Sequence, residues 1–367
     1  MSLNRYIVTM NHGDFLKENC RKSFGDACKR WNADLIEIKS FIGPQNVGND
    51  SWHEKTYMDK HLPGEGLFMY YDADHVIRCD APNIFEIMGD DCAGMLRGNN
   101  LSAGFHNTGK EKAVKGWAKR AGFDNFDIDE YSMTGCFYFR LPDHKAWFEE
   151  TRKINQELGW DQNWWISDML TLRLGLMKSK LPMRWIPACM SFWGGRIWDD
   201  ALPATQTWVE HFSGPCNKDW LMERSVWDYP YKVENKRLTD DHVIRWRKGK
   251  PVEEGLPNSV VVECLREMAQ VWRGNILDVG CGFGFSTWFG SQIAQENRTH
   301  YYATDNWGDN HFQGFERNML DGGLWPTVHR GINPDNYEDK SFDIILAPDD
   351  QDWSRKIKDN GKIISRS

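Results

Sequence analysis

The sequence contains no run of the roughly 20 uninterrupted apolar residues that a membrane helix needs, so no span is expected. Met1 to Asp14 lacks the long apolar core of a signal peptide, which points to a cytoplasmic protein. Basic residues are in deficit. With 45 Lys and Arg against 53 Asp and Glu, the formal net charge is −8, and no broad positive field exists to collect phosphates along a nucleic acid. A dedicated DNA or RNA binder is therefore disfavoured. The nine cysteines form no C-x-x-C pair, and an odd, scattered set from Cys20 to Cys281 fits reduced thiols better than a disulfide framework or a zinc site. Internal repeats and low-complexity segments are also missing. Nineteen tryptophans are the one excess; most serve core packing, and clusters such as Trp164-Trp165 offer flat faces for sugar rings or nucleobases.

A chain of 367 residues has room for two or three domains at roughly 100–200 residues each, and 40% hydrophobic content lets each bury a core. Two α/β patterns follow one another. The first runs strand Tyr6 to Met10, helix Phe15 to Trp31, strand Asp34 to Ile38, then a helical stretch from Trp52 to Lys60. The second restarts at Ile276-Leu277-Asp278-Val279 with a glycine-dense turn and continues strand, helix, strand. Between them lies a charged stretch carrying Pro230, Pro251 and Pro257, whose Trp227, Tyr229, Tyr231 and Trp246 imply that it packs on something. The expected division is 1–222, a connecting segment 223–258, and 259–367.

In the first unit the apolar strand Leu67 to Tyr71 ends abruptly in Asp72-Ala73-Asp74-His75. Burial of that strand would hold both acids at its carboxyl end, where open α/β sheets place ligands. Alternate residues of an extended chain point opposite ways, so a turn at Ala73 is required to bring both acids to one ion. Hard oxygen donors suit Mg²⁺ or Mn²⁺, which bridge the oxygens of a diphosphate. Taken alone, the triplet is equally a turn or a helix cap.

The setting, Tyr-Tyr-Asp-Ala-Asp-His preceded by Trp52-x-x-Lys55, resembles the donor-binding core of GT-A glycosyltransferases. His211-Phe212-Ser213-Gly214-Pro215-x-x-Lys218-x-Trp220 resembles the closing motif of family eight, the glycogenin and galactosyltransferase-like enzymes, with one extra residue before the lysine and Asp219 in place of proline. The resemblance implies a metal held by Asp72, Asp74 and His211. It also implies Lys55 and Lys218 at the donor, Thr9 and Asn11 near its base or ribose, and Tyr131 to Phe139 as a small-residue strand lining the acceptor side. Asp161 and Asp168 are candidates for the acid facing the sugar, and either is also able to cap a helix. Imidazole beside carboxylates favours Mn²⁺ over Ca²⁺. The implied reaction is metal-assisted transfer of a sugar from a nucleotide-sugar donor to a glycan or other hydroxyl, with retention of configuration.

In the second unit Asn275 to Gly284 combines an apolar strand, Asp278 and three alternating glycines, Gly280, Gly282 and Gly284. Such glycines permit a tight strand-to-helix turn in which backbone amides approach a ligand. The Asp-x-Gly-x-Gly-x-Gly form resembles motif I of class I methyltransferases that use S-adenosylmethionine. By that resemblance Asp278 and the glycines hold the cofactor and Asp305, ending Tyr301 to Asp305, holds its ribose hydroxyls. Ser341 to Asp350 would be the fourth strand and Lys358 to Ile364 the turn into the fifth. Phe315-x-x-Asn318-Met319 through Gly331 is similar to small-molecule O-methyltransferases, which offers Asp349 or Asp350 as a second metal site. The family continues through two more strands, whereas this sequence stops at Ser367, so an incomplete domain with an exposed sheet edge is expected.

The expected architecture is thus α/β throughout: an N-terminal GT-A nucleotide-sugar-binding fold, then a Rossmann-like methyltransferase fold truncated after its fifth strand. The expected function is glycosyl transfer, with methylation of the same glycan by the second unit. A sugar nucleotidyltransferase, or a glycan-binding protein with relic sites, remains open. So does the oligomeric state.

Overall fold

The computed structural model describes residues 3–12, 15–43, 53–98, 110–159, 168–193, 207–211, 256–321 and 326–367. Residues 223–255, nearly all of the expected connecting segment, lie outside them. No helix among the described residues is long and apolar enough to cross a membrane.

The N-terminal unit is built on a six-stranded sheet in the order β2-β1-β3-β6-β5-β7. Its strands are β1 (Arg5–Met10), β2 (Asp34–Ile38), β3 (Gly66–Tyr71), β5 (Ala93–Arg97), β6 (Ser132–Leu141) and β7 (Met183–Trp185). All run parallel except β6, which is antiparallel to both neighbours. Every residue of β3 is buried, as expected of an apolar strand covered on both faces. Helix α1 (Glu18–Trp31) buries Cys20, Phe24, Ala27, Cys28 and Trp31, a stripe at helical spacing, and terminates at Asn32 in the left-handed conformation. A small sheet, β4 (His75–Ile77), β9 (Val209–His211) and β8 (Phe192–Trp193) in the order β4-β9-β8, leaves the large one directly after β3.

The C-terminal unit is an all-parallel sheet in the order β12-β11-β10-β13-β14, formed by β10 (Asn275–Val279), β11 (His300–Asp305), β12 (Thr327–Arg330), β13 (Phe342–Ala347) and β14 (Ile357–Ser365). Helix Phe285–Glu296 joins β10 to β11 and helix Asp309–Asp321 joins β11 to β12. The expected turn at Lys358 to Ile364 is instead part of β14. The register steps from Phe342↔Ile357 to Ile344↔Lys362, so residues 358–361 bulge from the ladder and the strand resumes. No helix joins β13 to β14; residues 348–356 cross over with Trp353 buried.

The two units share one apolar core, in which Ile87, Met88, Trp208 and Val209 pack with Val261, Leu265, Trp288 and Phe289. Polar contacts stitch its rim. In the helix Asn258–Met268, Arg266 donates to Ile87 O at 2.9 Å. Beyond it, Gln270 accepts from Trp185 N at 3.0 Å and donates to Trp185 O at 3.2 Å, pairing with edge strand β7 as a further strand would.

Candidate functional site

The required turn after β3 is present. Asp72 N donates to Gly135 O at 2.8 Å and His75 N donates back to Asp72 O at 3.1 Å, so the chain reverses between the two acids before entering β4. Strand β4 then pairs antiparallel with β9, placing His75 opposite His211. This pairing carries a distant imidazole to the acids: His211 Nε2 lies 3.2 Å from Asp74 Oδ1 and 3.9 Å from Asp72 Oδ2. Both carboxylates keep some exposure, whereas His211 is buried.

Space for that ring is made by Gly135. A Cβ there would lie 2.4 Å from His211 Cε1, so the position tolerates only hydrogen. Residues 134–136 also depart from the ladder with β5, where Met95 pairs with Phe137 but Leu96 pairs with Met133. Bulges of this kind re-aim groups at sites. Here the Thr134 hydroxyl meets Asp168 and the Gly135 carbonyl meets Asp72 N.

Lys55 forms the other wall. Its Nζ is 2.9 Å from Asp72 Oδ1, 3.2 Å from Asp168 Oδ2 and 3.2 Å from Thr134 O. Burial by itself would lower the Lys55 pKa, but the Asp72 and Asp168 carboxylates outweigh it and hold the ammonium above its usual range. Burial raises the Asp72 pKa against the pull of Lys55. Tyr70, kept protonated by burial, donates to Asp72 Oδ1 at 2.6 Å. Of the two roles the sequence left to Asp168, the structure shows the cap: Oδ1 accepts from Met169 N (2.9 Å) at the start of the helix Met169–Ser179, while Oδ2 takes Lys55 and the Thr134 hydroxyl (2.6 Å).

His75 is a site residue that the sequence reading passed over. Its ring stacks on His211 with centroids 4.0 Å apart. Nδ1 lies 3.1 Å from Asp72 O, which only accepts, so Nδ1 carries the proton and Nε2 accepts from Ser191 Oγ at 2.9 Å. Burial, reinforced by His211, pushes its pKa well below the usual histidine value. Its signal in the sequence was adjacency to Asp74. Among the described residues, Asp74, His75 and His211 are the group whose ligand atoms cluster closely enough for a metal ion. That group is one carboxylate and two imidazoles; Asp72 stands beside it, its Oδ2 3.9 Å from His211 Nε2, and carboxylate with imidazole donors fits Mn²⁺ or Mg²⁺.

Of the other expected donor residues, Thr9, one residue before the end of β1, is fully buried, its hydroxyl without a hydrogen-bond partner among the described residues. Asn11 is committed elsewhere, donating to Glu37 at 3.0 Å and accepting from Leu16 N at 3.0 Å. Asp161 and Lys218 lie outside the described residues.

In the C-terminal unit Gly280, Gly282 and Gly284 all have positive φ (69°, 54° and 93°), which explains their spacing. Their amides are spent internally, on Thr304 O, Asp305 Oδ2 and Cys281 O, and are not free donors for a ligand as expected. Asp305 accepts from Gly282 N and Asn306 N, both at 2.6 Å, and a carboxylate keeps lone pairs beyond those two. Asp278 departs from expectation. It is fully buried and accepts from Ser286 (2.8 Å), Thr287 (2.7 Å), Tyr301 (3.1 Å) and Arg366, a knot that pins the helix to the sheet. Asp349 and Asp350 are exposed and belong to no metal-type cluster among the described residues; Asp349 accepts from Ser367.

No protein-family model and no curated protein matches the chain. Among solved structures it is similar to a glycosyltransferase involved in glycosylation of the major capsid of PBCV-1, with 9% identity, a TM-score of 0.37, and coverage of 60% of this chain and 99% of that one. It is also similar to a Pyrococcus horikoshii protein named as a transferase, PH0793, with 18% identity and a TM-score of 0.24, over 30% of this chain and less than half (45%) of that one. Neither likeness is close enough to carry residue roles across.

Proposed function

We propose that the chain is a metal-dependent glycosyltransferase of GT-A type, similar to family eight, moving a sugar from a nucleotide-sugar donor to a glycan hydroxyl with retention. The observation that carries this reading is the convergence of His211 on the acids after β3, with Gly135 shaped to admit it. Asp72, Asp74 and His211 would hold Mn²⁺ or Mg²⁺, and a cation there supplies positive charge to the departing diphosphate. Lys55 contributes a fixed ammonium that holds the Asp72 and Asp168 carboxylates in place. Thr9, Lys218 and Asp161 belong to the same proposal.

For the C-terminal unit we propose S-adenosylmethionine binding at the Gly280 to Gly284 turn, with Asp305 accepting from the ribose hydroxyls and methylation of the same glycan as its use. The free lone pairs of Asp305 support this. Asp278 acts there by holding the helix, not by touching the cofactor.

Mixing the purified chain with Mn²⁺ and a panel of nucleotide sugars tests the transferase. Nucleoside diphosphate release, lost in Asp74→Ala, is expected. Pyrophosphate chemistry would indicate a nucleotidyltransferase, and glycan binding without turnover a binding protein. Calorimetric titration with S-adenosylmethionine tests the second unit; absence of heat leaves it a scaffold.

A further inference from the structure

We infer that the helix Phe285–Glu296 of the C-terminal unit, acting through Trp208, positions the two imidazoles of the candidate cation site, so that both units build that site jointly. The inference rests on the cation reading above. Strands β4, β9 and β8 span three, three and two residues, too little ladder to fix a side chain without outside packing. Trp208 immediately precedes β9 and is buried. Its ring stacks on Phe289 at 5.5 Å and meets Trp288 edge-on at 5.2 Å and Phe285 at 6.2 Å. Positions 285, 288 and 289 share one helix face, so a single surface of the C-terminal unit grips the entry to the strand carrying His211.

The second imidazole is held from the same surface. The turn Ala188–Met190 packs on that helix, and the next residue, Ser191, donates to His75 Nε2. Thr207 Oγ1 donates to Cys189 O at 2.9 Å, tying the two segments together. The helix cannot drift from its own sheet: Ser286 and Thr287 hang on Asp278, and Gly290 lets the backbone close on Tyr301, where a Cβ would lie 2.4 Å from the ring. Trp208 is therefore a positioning residue for His211, with no contact of its own to the ion.

The test is Mn²⁺ titration of the full chain by calorimetry, alongside thermal unfolding. Wild type should bind Mn²⁺ and His211→Ala should not; no binding by wild type overturns the cation reading and this inference with it. Given binding, Trp208→Ala and Phe289→Ala should weaken Mn²⁺ affinity about tenfold or more, the usual scale for support of a metal ligand. Trp208→Phe, which keeps a stacking ring, should stay within about threefold. Phe126→Leu, in a separate apolar cluster, should lower the unfolding temperature and leave the affinity unchanged, which separates positioning from general destabilisation. Unchanged affinity in Trp208→Ala overturns the inference while the cation site stands. If that variant does not fold, Phe289→Leu is read in its place, with loss of affinity expected and retention overturning.

Discussion

Substituting Gly135 by alanine isolates the geometry of the candidate site. Gly135 lies in strand β6, is absent from the left-handed backbone positions, and pairs through its carbonyl with Asp72 N, none of which a methyl group disturbs. Elsewhere in a strand, glycine to alanine would even be favourable, because alanine loses less conformational entropy on folding. The whole cost is therefore steric and falls on His211, whose Cε1, Nδ1 and Nε2 would lie 2.4, 2.9 and 3.2 Å from the new carbon. Restoring ordinary contact requires the imidazole to move by roughly 1 Å, and overpacking of this kind costs about 1–3 kcal/mol. Metal–nitrogen bonds, about 2.0–2.1 Å in zinc sites, do not stretch by half their length, so the ring leaves the ion. Calorimetric Mn²⁺ titration should show a loss of about 10–100-fold, with nucleoside diphosphate release falling in parallel while the fold persists. A folded Gly135→Ala protein with wild-type Mn²⁺ affinity would refute the reasoning.

Lys55→Met removes the cation that bridges Asp72 and Asp168 and leaves two carboxylates packed together; denaturant unfolding should register a loss of about 3–5 kcal/mol, and a change below about 1 kcal/mol would show that water reaches the pair freely. His144 accepts from Arg140 N through Nδ1, and burial depresses its pKa from 6.5 to about 4. Between those values the unfolded chain binds a proton that the folded chain refuses, so His144 withdraws about 3 kcal/mol of stability as pH falls from 6.5 to 4. In His144→Asn that part of the pH slope should vanish from unfolding curves. Gln270→Ala strips both amide partners from Trp185 at the sheet edge; thermal unfolding should show a cost of about 1–3 kcal/mol, against none if the units meet only through apolar packing.

What the sequence by itself determined was local. Strands Asp34 to Ile38 and Leu67 to Tyr71 were readable because their apolar runs stop at polar residues, and the glycine turn after β10 because only glycine suits three positive φ values in five residues. The acids of Asp72-Ala73-Asp74 were readable for the same reason, being fixed by the end of the strand that carries them. Tertiary structure alone decided where long-range partners went. His75 became a stacked, neutral neighbour of His211 through a strand pairing that spans most of the N-terminal unit, and Gly135 became its socket through a bulge no periodicity encodes. Asp278 and Asn11 carry residue types suited to ligands, yet the Ser286 and Thr287 hydroxyls claimed the first, and the Glu37 carboxylate and the Leu16 amide the second. The physical reason is common to all four: backbone propensity acts over a few residues, whereas a buried polar group is assigned by whichever partner the packed chain brings within hydrogen-bond reach.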